Sequence, residues 1–223
     1  MIEHTVLSVI VGSRAQGLDT DESDVDRRGV YVPPTRLFWA FEKPPSSIDG
    51  PEQERLSWEV EHFLALGLKA NPNVLEVLAS DLVETCTPLG EELRALLPML
   101  LSQRIADTYR RATAQQFARA SAAMASGGTP RWKQVMHVIR LLTQCDHALA
   151  TGELTLNVGE HRAQLLAVRD GDVPWKDVSK WVEDLRDRTA RAVLRSPLPA
   201  VPDTAAVEDW LVSVRRRSAL EDQ

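Results

Sequence analysis

The sequence predicts an α+β protein, a small β-sheet with flanking helices followed by an α-helical C-terminal half, and three observations carry that expectation. Short β-branched runs bounded by glycine and proline crowd the stretch up to residue 87, helical periodicity fills nearly everything from Pro88 onward, and 223 residues suit one large domain or two small ones. The expected division is therefore 1–87 as the mixed half and 88–223 as the helical half.

Val6-Leu7-Ser8-Val9-Ile10-Val11 is apolar, β-branched and stopped by Gly12, which predicts a buried strand. A polar loop with two glycines and three acids covers 12–23. Residues 24–32 (DVDRRGVYV) alternate as a second strand until Pro33-Pro34 ends it. Residues 42–53 are a turn-rich connection. Residues 54–58 predict a short third strand feeding a helix capped near Ser57 and running to about Ala70. Asn71-Pro72 restarts a short helix through Leu78, with proline in its first turn, and residues 82–86 form a last strand. Helices follow at roughly 88–97, 102–125, 131–150, 159–169, 175–195 and 204–220, punctuated by Gly127-Gly128, Gly152 and the prolines of 197–202.

The chain is 43% hydrophobic and 26% charged, a globular composition that excludes disordered, collagenous and membrane classes. Its 32 acids against 26 bases leave a net charge of −6. That balance disfavours a surface that clamps nucleic acid all over, since such binding needs clustered Lys and Arg, but leaves room for a local basic groove. Cys86 and Cys145 match no metal or redox spacing and are expected as reduced thiols. The N-terminal residues lack a basic leader segment and no apolar run is long enough to span a bilayer, so a cytoplasmic protein without a membrane partner is expected.

Chemistry concentrates in Gly12-Ser13, ten residues, and then Asp24-Val25-Asp26. Residues i and i+2 of a strand face the same way, so Asp24 and Asp26 would stand side by side and repel each other unless a cation lies between them. Paired carboxylates of this kind, joined by a third, serve two-metal phosphoryl transfer with Mg²⁺ or Mn²⁺. Gly12 and Ser13 would supply an unobstructed turn whose N–H groups and hydroxyl meet triphosphate oxygens. Gly12 to Gly17 has the spacing of a P-loop, but Leu18-Asp19 replace its Lys and Ser/Thr. An EF-hand begun at Asp24 fails at Arg28 and Thr35. A solvated acidic loop is the competing explanation of the acids. Arg14 either touches phosphate or pairs with that loop, and Arg28 shares the carboxylates' face and balances their charge.

In the helical half, Lys133, His137, Arg140 and Gln144 form a polar stripe opposite the apolar Val135, Val138, Ile139 and Leu142. The stripe is either a solvated face or, turned toward the carboxylates, a set of cations for a triphosphate. Trp58, Trp132, Trp175, Trp181 and Trp210 are expected in packing, and Arg215-Arg216-Arg217 at a helix C-terminus.

The run VGSRAQGLDTDESDVDRRGVYVPP resembles the signature of the polymerase-β-type nucleotidyltransferase superfamily, in the branch associated with RNA repair and RNA ligases. Further similarity lies in Phe63-Leu64 through Lys69-Ala70-Asn71-Pro72 with Glu76-Val77-Leu78, in Lys133, His137 and Arg140-Leu141-Leu142, and in Ser196-Pro197-Leu198-Pro199 with Asp203. The resemblance implies a mixed-sheet nucleotidyltransferase core that transfers a nucleoside monophosphate from an NTP to a hydroxyl acceptor, such as an RNA end, with release of pyrophosphate. It implies Gly12 and Ser13 as phosphate binders, Asp24 and Asp26 as metal ligands, and Glu54 as the third carboxylate, with Glu59 as the alternative. It also favours phosphate binding by Lys133, His137 and Arg140. Two other functions stay open: a catalytically weak nucleotide-binding or interaction module, and a nucleotidyltransferase acting on a protein or small molecule.

Overall fold

The computed structural model describes residues 2–50 and 54–221. In chain order these form β1 (Thr5–Ile10), α1 (Gly12–Gln16), β2 (Arg27–Tyr31), a 3-10 turn at Thr35–Phe38, β3 (Ser47–Asp49), β4 (Arg55–Glu59), α2 (Val60–Gly67), α3 (Pro72–Ala79), β5 (Val83–Cys86), α4 (Pro88–Arg94) and α5 (Leu97–Leu100). Then come α6 (Arg104–Ala125), α7 (Trp132–Thr151), a second 3-10 turn at Gly159–His161, α8 (Arg162–Asp170), α9 (Trp175–Val193) and α10 (Thr204–Glu221). The fold is α+β, as the sequence predicts. None of the described helices is long and apolar enough to cross a membrane.

The chain divides into two compact units, one comprising 1–15, 21–100 and 202–223, the other 16–20 and 101–201. In the first, the described residues form a five-stranded mixed sheet ordered β3-β4-β2-β1-β5. β1 lies antiparallel to both β2 and β5, and its Val6, Leu7 and Val9 are buried, which explains the apolar run. β2 and β4 are parallel, in the register Arg27↔Arg55 to Tyr31↔Glu59. Parallel neighbours begin at the same end of a sheet, so Asp26 and Glu54, each one residue ahead of its strand, are brought alongside.

In the second unit α7 packs on α6, α8 and α9. Its Val135, Val138, Ile139 and Leu142 are buried with Phe117, Leu165, Val178, Val182, Leu185 and, from the 16–20 segment, Leu18. The apolar face of the helix is thus the one its periodicity indicates. Trp132, Trp175 and Trp181 pack against this core, Trp58 is buried 5.9 Å from the Phe63 ring, and Trp210 donates to Glu92 at 2.9 Å. Trp39, by contrast, is 72% exposed.

Three expectations about the elements are corrected. The second strand starts at Arg27 rather than Asp24: strand pairing reaches back to the Asp26 carbonyl, which accepts from the Val11 N–H at 2.9 Å, and to the Arg27 N–H, which donates to the Glu54 carbonyl at 2.9 Å, whereas the carbonyls of Ser23 and Asp24 accept from the Arg14 side chain. The helix after β4 is capped by Glu59, whose carboxylate accepts from the N–H groups of Glu61 and His62, while Ser57 sits inside β4 and is 2% exposed. A short strand, β3, lies in the connection read as turns. The division of the chain also differs from the expected boundary at residue 87. Arg94 donates to the Ser80 carbonyl at 2.9 Å, the Asp203 N–H to that of Met99 at 2.8 Å, and Arg217 holds Glu92 with both terminal nitrogens, so α4, α5 and α10 are fastened to the sheet unit.

Candidate active site

Gly12 follows the end of β1 with φ +68°, a left-handed conformation that glycine adopts without strain. A Cβ built on it would lie 2.2 Å from Asp26 Oδ2, so the carboxylate rests directly over the bare Cα. Gly12 therefore meets two demands at once, a sharp turn out of the strand and space for an acid. Ser13 follows within α1 and is partly exposed.

Asp24 is exposed and Asp26 half-buried. Among the described residues Arg14 reaches no carboxylate; it donates to the carbonyls of Ser23 at 3.0 Å and Asp24 at 3.4 Å, and so shapes the loop that presents Asp24. Arg28 does the balancing its position implies, with one nitrogen 3.4 Å from Asp26 Oδ1 and another donating to the Glu54 carbonyl at 2.9 Å. That carbonyl also accepts from the Arg27 N–H at 2.9 Å. Glu54 is exposed and holds φ +57°, a conformation costly for a residue with a side chain. Asp26 and Glu54 thus share one guanidinium at the heads of two parallel strands. Among the described residues, no three His, Cys, Asp or Glu side chains are gathered closely enough to hold a metal ion.

The alternative third carboxylate, Glu59, is committed elsewhere. It is 4% exposed, caps α2, and takes a 2.6 Å contact from Arg215, whose guanidinium also stacks over Phe38 at 3.9 Å. Sequence reading missed Glu84. From β5 it accepts from Arg27 at 2.8 Å, lies 3.9 Å from Arg55, and receives the Ser8 hydroxyl at 3.4 Å. One carboxylate therefore ties together the first residues of β2 and β4, those following Asp26 and Glu54. The outward-facing acid in residues 82–86 was the available sign, but its partners lie on other strands.

In the second unit the polar stripe of α7 divides. Lys133 is exposed, whereas Arg140 is 2% and Gln144 7% exposed, so a solvated face describes only its first member. Arg140 Nη2 lies 3.4 Å from His137 Nδ1. Burial, and secondarily the Arg140 charge, press the His137 pKa down to about 4, which leaves a neutral imidazole at physiological pH. Gln144 donates to the Thr155 carbonyl at 3.1 Å and faces the Tyr109 hydroxyl at 3.5 Å. Both cysteines are free, and burial pushes the Cys145 thiol up to about 12, far from a nucleophile's range.

A model of the RNA repair pathway DNA polymerase beta family matches residues 3–213. The uncharacterized protein YcgL of Bacillus subtilis (strain 168) is 38% identical over 96 residues, which take in 41% of this chain and 36% of that protein's length. No solved structure matches.

Proposed function

Because the chain belongs to the RNA repair pathway DNA polymerase beta family, we propose that it is a metal-dependent nucleotidyltransferase that moves a nucleoside monophosphate from an NTP to the hydroxyl of an RNA end, releasing pyrophosphate. The observation that carries this reading is the Asp26 carboxylate seated over Gly12 at the exit of β1. It puts a hard oxygen donor against a turn free of side-chain obstruction, as an approaching triphosphate requires.

Carboxylate oxygens are the donor type that Mg²⁺ or Mn²⁺ takes. Asp24 and Asp26 supply carboxylate oxygens from one loop, and Mg²⁺ characteristically takes one or two carboxylates together with substrate phosphates. Glu54 is the third carboxylate in this proposal; it stands at the head of β4 alongside Asp26, and its side chain must turn toward Asp24 and Asp26 to join them, since the structure does not gather the three. A bound divalent ion supplies activation of the acceptor hydroxyl and neutralisation of charge on the departing pyrophosphate. The chain's own residues do the positioning. Gly12 and Ser13 bind phosphate oxygens, Arg14 fixes the loop carrying Asp24, and Arg28 steadies Asp26. Within the helical unit taken by itself, Lys133 is an exposed cation available to a phosphate, while Arg140 is buried beside the neutral His137.

The test is incubation of the wild type and the Asp24→Ala/Asp26→Ala variant with each α-labelled NTP, Mg²⁺ or Mn²⁺, and a pool of RNA. Label is expected on RNA with the wild type alone. Transfer that persists in the variant would overturn the metal-site assignment, and NTP binding without transfer to any acceptor would reduce the protein to a binding module.

A further inference from the structure

The outer face of α10 carries a pattern that is symmetric in spacing about its centre and opposite in charge on the two sides. Ala205, Glu208-Asp209, Val212, Arg216 and Ala219 follow one another at steps of three and four, which places them on one side of the helix, with Arg215 at its edge turned inward onto Glu59. Val212 stands at the centre, acids lie one turn before it, Arg216 one turn after it, and an alanine closes each end. The helix buries its other side, where Val207 and Val214 are each 2% exposed. Glu208, Asp209, Val212 and Arg216 are exposed, and among the described residues Glu208, Asp209 and Arg216 take part in no ion pair. Beside them Trp39, 72% exposed, lines a 370 Å³ cavity together with Glu208, Val212 and Arg216.

We propose that this face is the interface of a homodimer, in which α10 of two copies packs antiparallel about a twofold axis at Val212. Antiparallel pairing sets each residue before Val212 against the one equally far beyond it on the second copy. Glu208 then meets Arg216 of the second copy, and by symmetry the same pair forms again on the other side of the axis. Val212 meets its own counterpart, Ala205 and Ala219 let the helix ends approach, and the two Trp39 rings supply apolar anchors at the sides. Parallel pairing would stack acid on acid and arginine on arginine, so charge selects the antiparallel arrangement. The same charges argue against a nucleic acid on this face, because Glu208 and Asp209 would repel phosphates over half of it. The proposal does not depend on the enzymatic activity.

Sedimentation velocity over a concentration series tests it. The wild type is expected to dimerise, less strongly as salt is raised. Glu208→Arg and Arg216→Glu should each weaken self-association at least about tenfold by facing like charges twice across the axis. Mixing the two variants should restore a dimer, because the reversed positions then face one another. Should a reversal impair folding, Glu208→Gln and Arg216→Gln make the same test with a shift of about fivefold. A wild type that stays monomeric, a dimer indifferent to the substitutions, or reversed chains that fail to pair on mixing would overturn the interface.

Discussion

Replacing Gly12 by alanine adds one methyl group at the point where the turn and the acid meet, and its consequences follow from the geometry. At φ +68° any residue with a Cβ costs about 1–2 kcal/mol. The new Cβ would also stand 2.2 Å from Asp26 Oδ2, well inside van der Waals contact, so the carboxylate must rotate off its position at roughly 0.5–1.5 kcal/mol. Together these predict about 2–3 kcal/mol of destabilisation, which at roughly 2–4 °C per kcal/mol lowers the melting temperature by about 4–12 °C. Gly127 provides the control, because its φ of +74° carries a similar backbone cost while nothing lies within 4 Å of an added methyl. Gly127→Ala should therefore show the backbone part of the loss and leave Mn²⁺ binding and RNA labelling unchanged. Gly12→Ala should lose both activities beyond its loss of stability. Thermal melts, Mn²⁺ titration and the label-transfer assay measured on the two variants separate the terms. Wild-type Mn²⁺ affinity and transfer in Gly12→Ala would refute the argument that Asp26 acts from its seat over this glycine.

Two further outcomes are expected. His137 is neutral in the fold with its pKa held at about 4, against 6.5 in the unfolded chain, so the unfolded state takes up its proton first as pH falls. Its contribution to stability is complete above about pH 6.5 and is lost progressively toward pH 4, by about 3 kcal/mol in all; urea unfolding at a series of pH values should show this slope, and His137→Gln should flatten it. Glu84→Gln removes the charge that links Arg27 to Arg55, and should cost about 1–2 kcal/mol in chemical denaturation and slow RNA labelling, whereas an unchanged transfer rate would show that the bridge does not position the strand heads.

What could be read from the letters was what depends on neighbours in sequence. The β-branched run of β1, the Gly12 stop, the proline-led starts of α3 and α4 and the apolar stripe of α7 each rest on local preference or period, and each stands where it was expected. Asp24 and Asp26 alternate like strand residues, yet β2 begins after them, because strand pairing is decided by partners that the local pattern does not contain. For the same reason β3, three residues amid serine and proline, escapes notice until β4 lies beside it. Glu59 displaces Ser57 as the cap of α2 because β4 runs further than its apolar pattern suggests. Arg140 belongs to a polar stripe by spacing but is buried, a distinction between solvated and sequestered charge that spacing does not carry.

The interleaving of the two units has a consequence for how the chain is made. Residues 101–201 form almost the whole helical unit without interruption, so that unit can close as soon as they have left the ribosome. The sheet unit cannot. Its strands are synthesised first, but α10, which packs on α5 and on the turn at Thr35–Phe38, is synthesised after residues 101–201. Until then Val6, Val32, Leu89 and the Arg215 site on Glu59 wait without the helix that lines or occupies them. The order of synthesis is thus the reverse of the order of completion: the unit begun first is completed after the other, when α10 returns to the sheet unit.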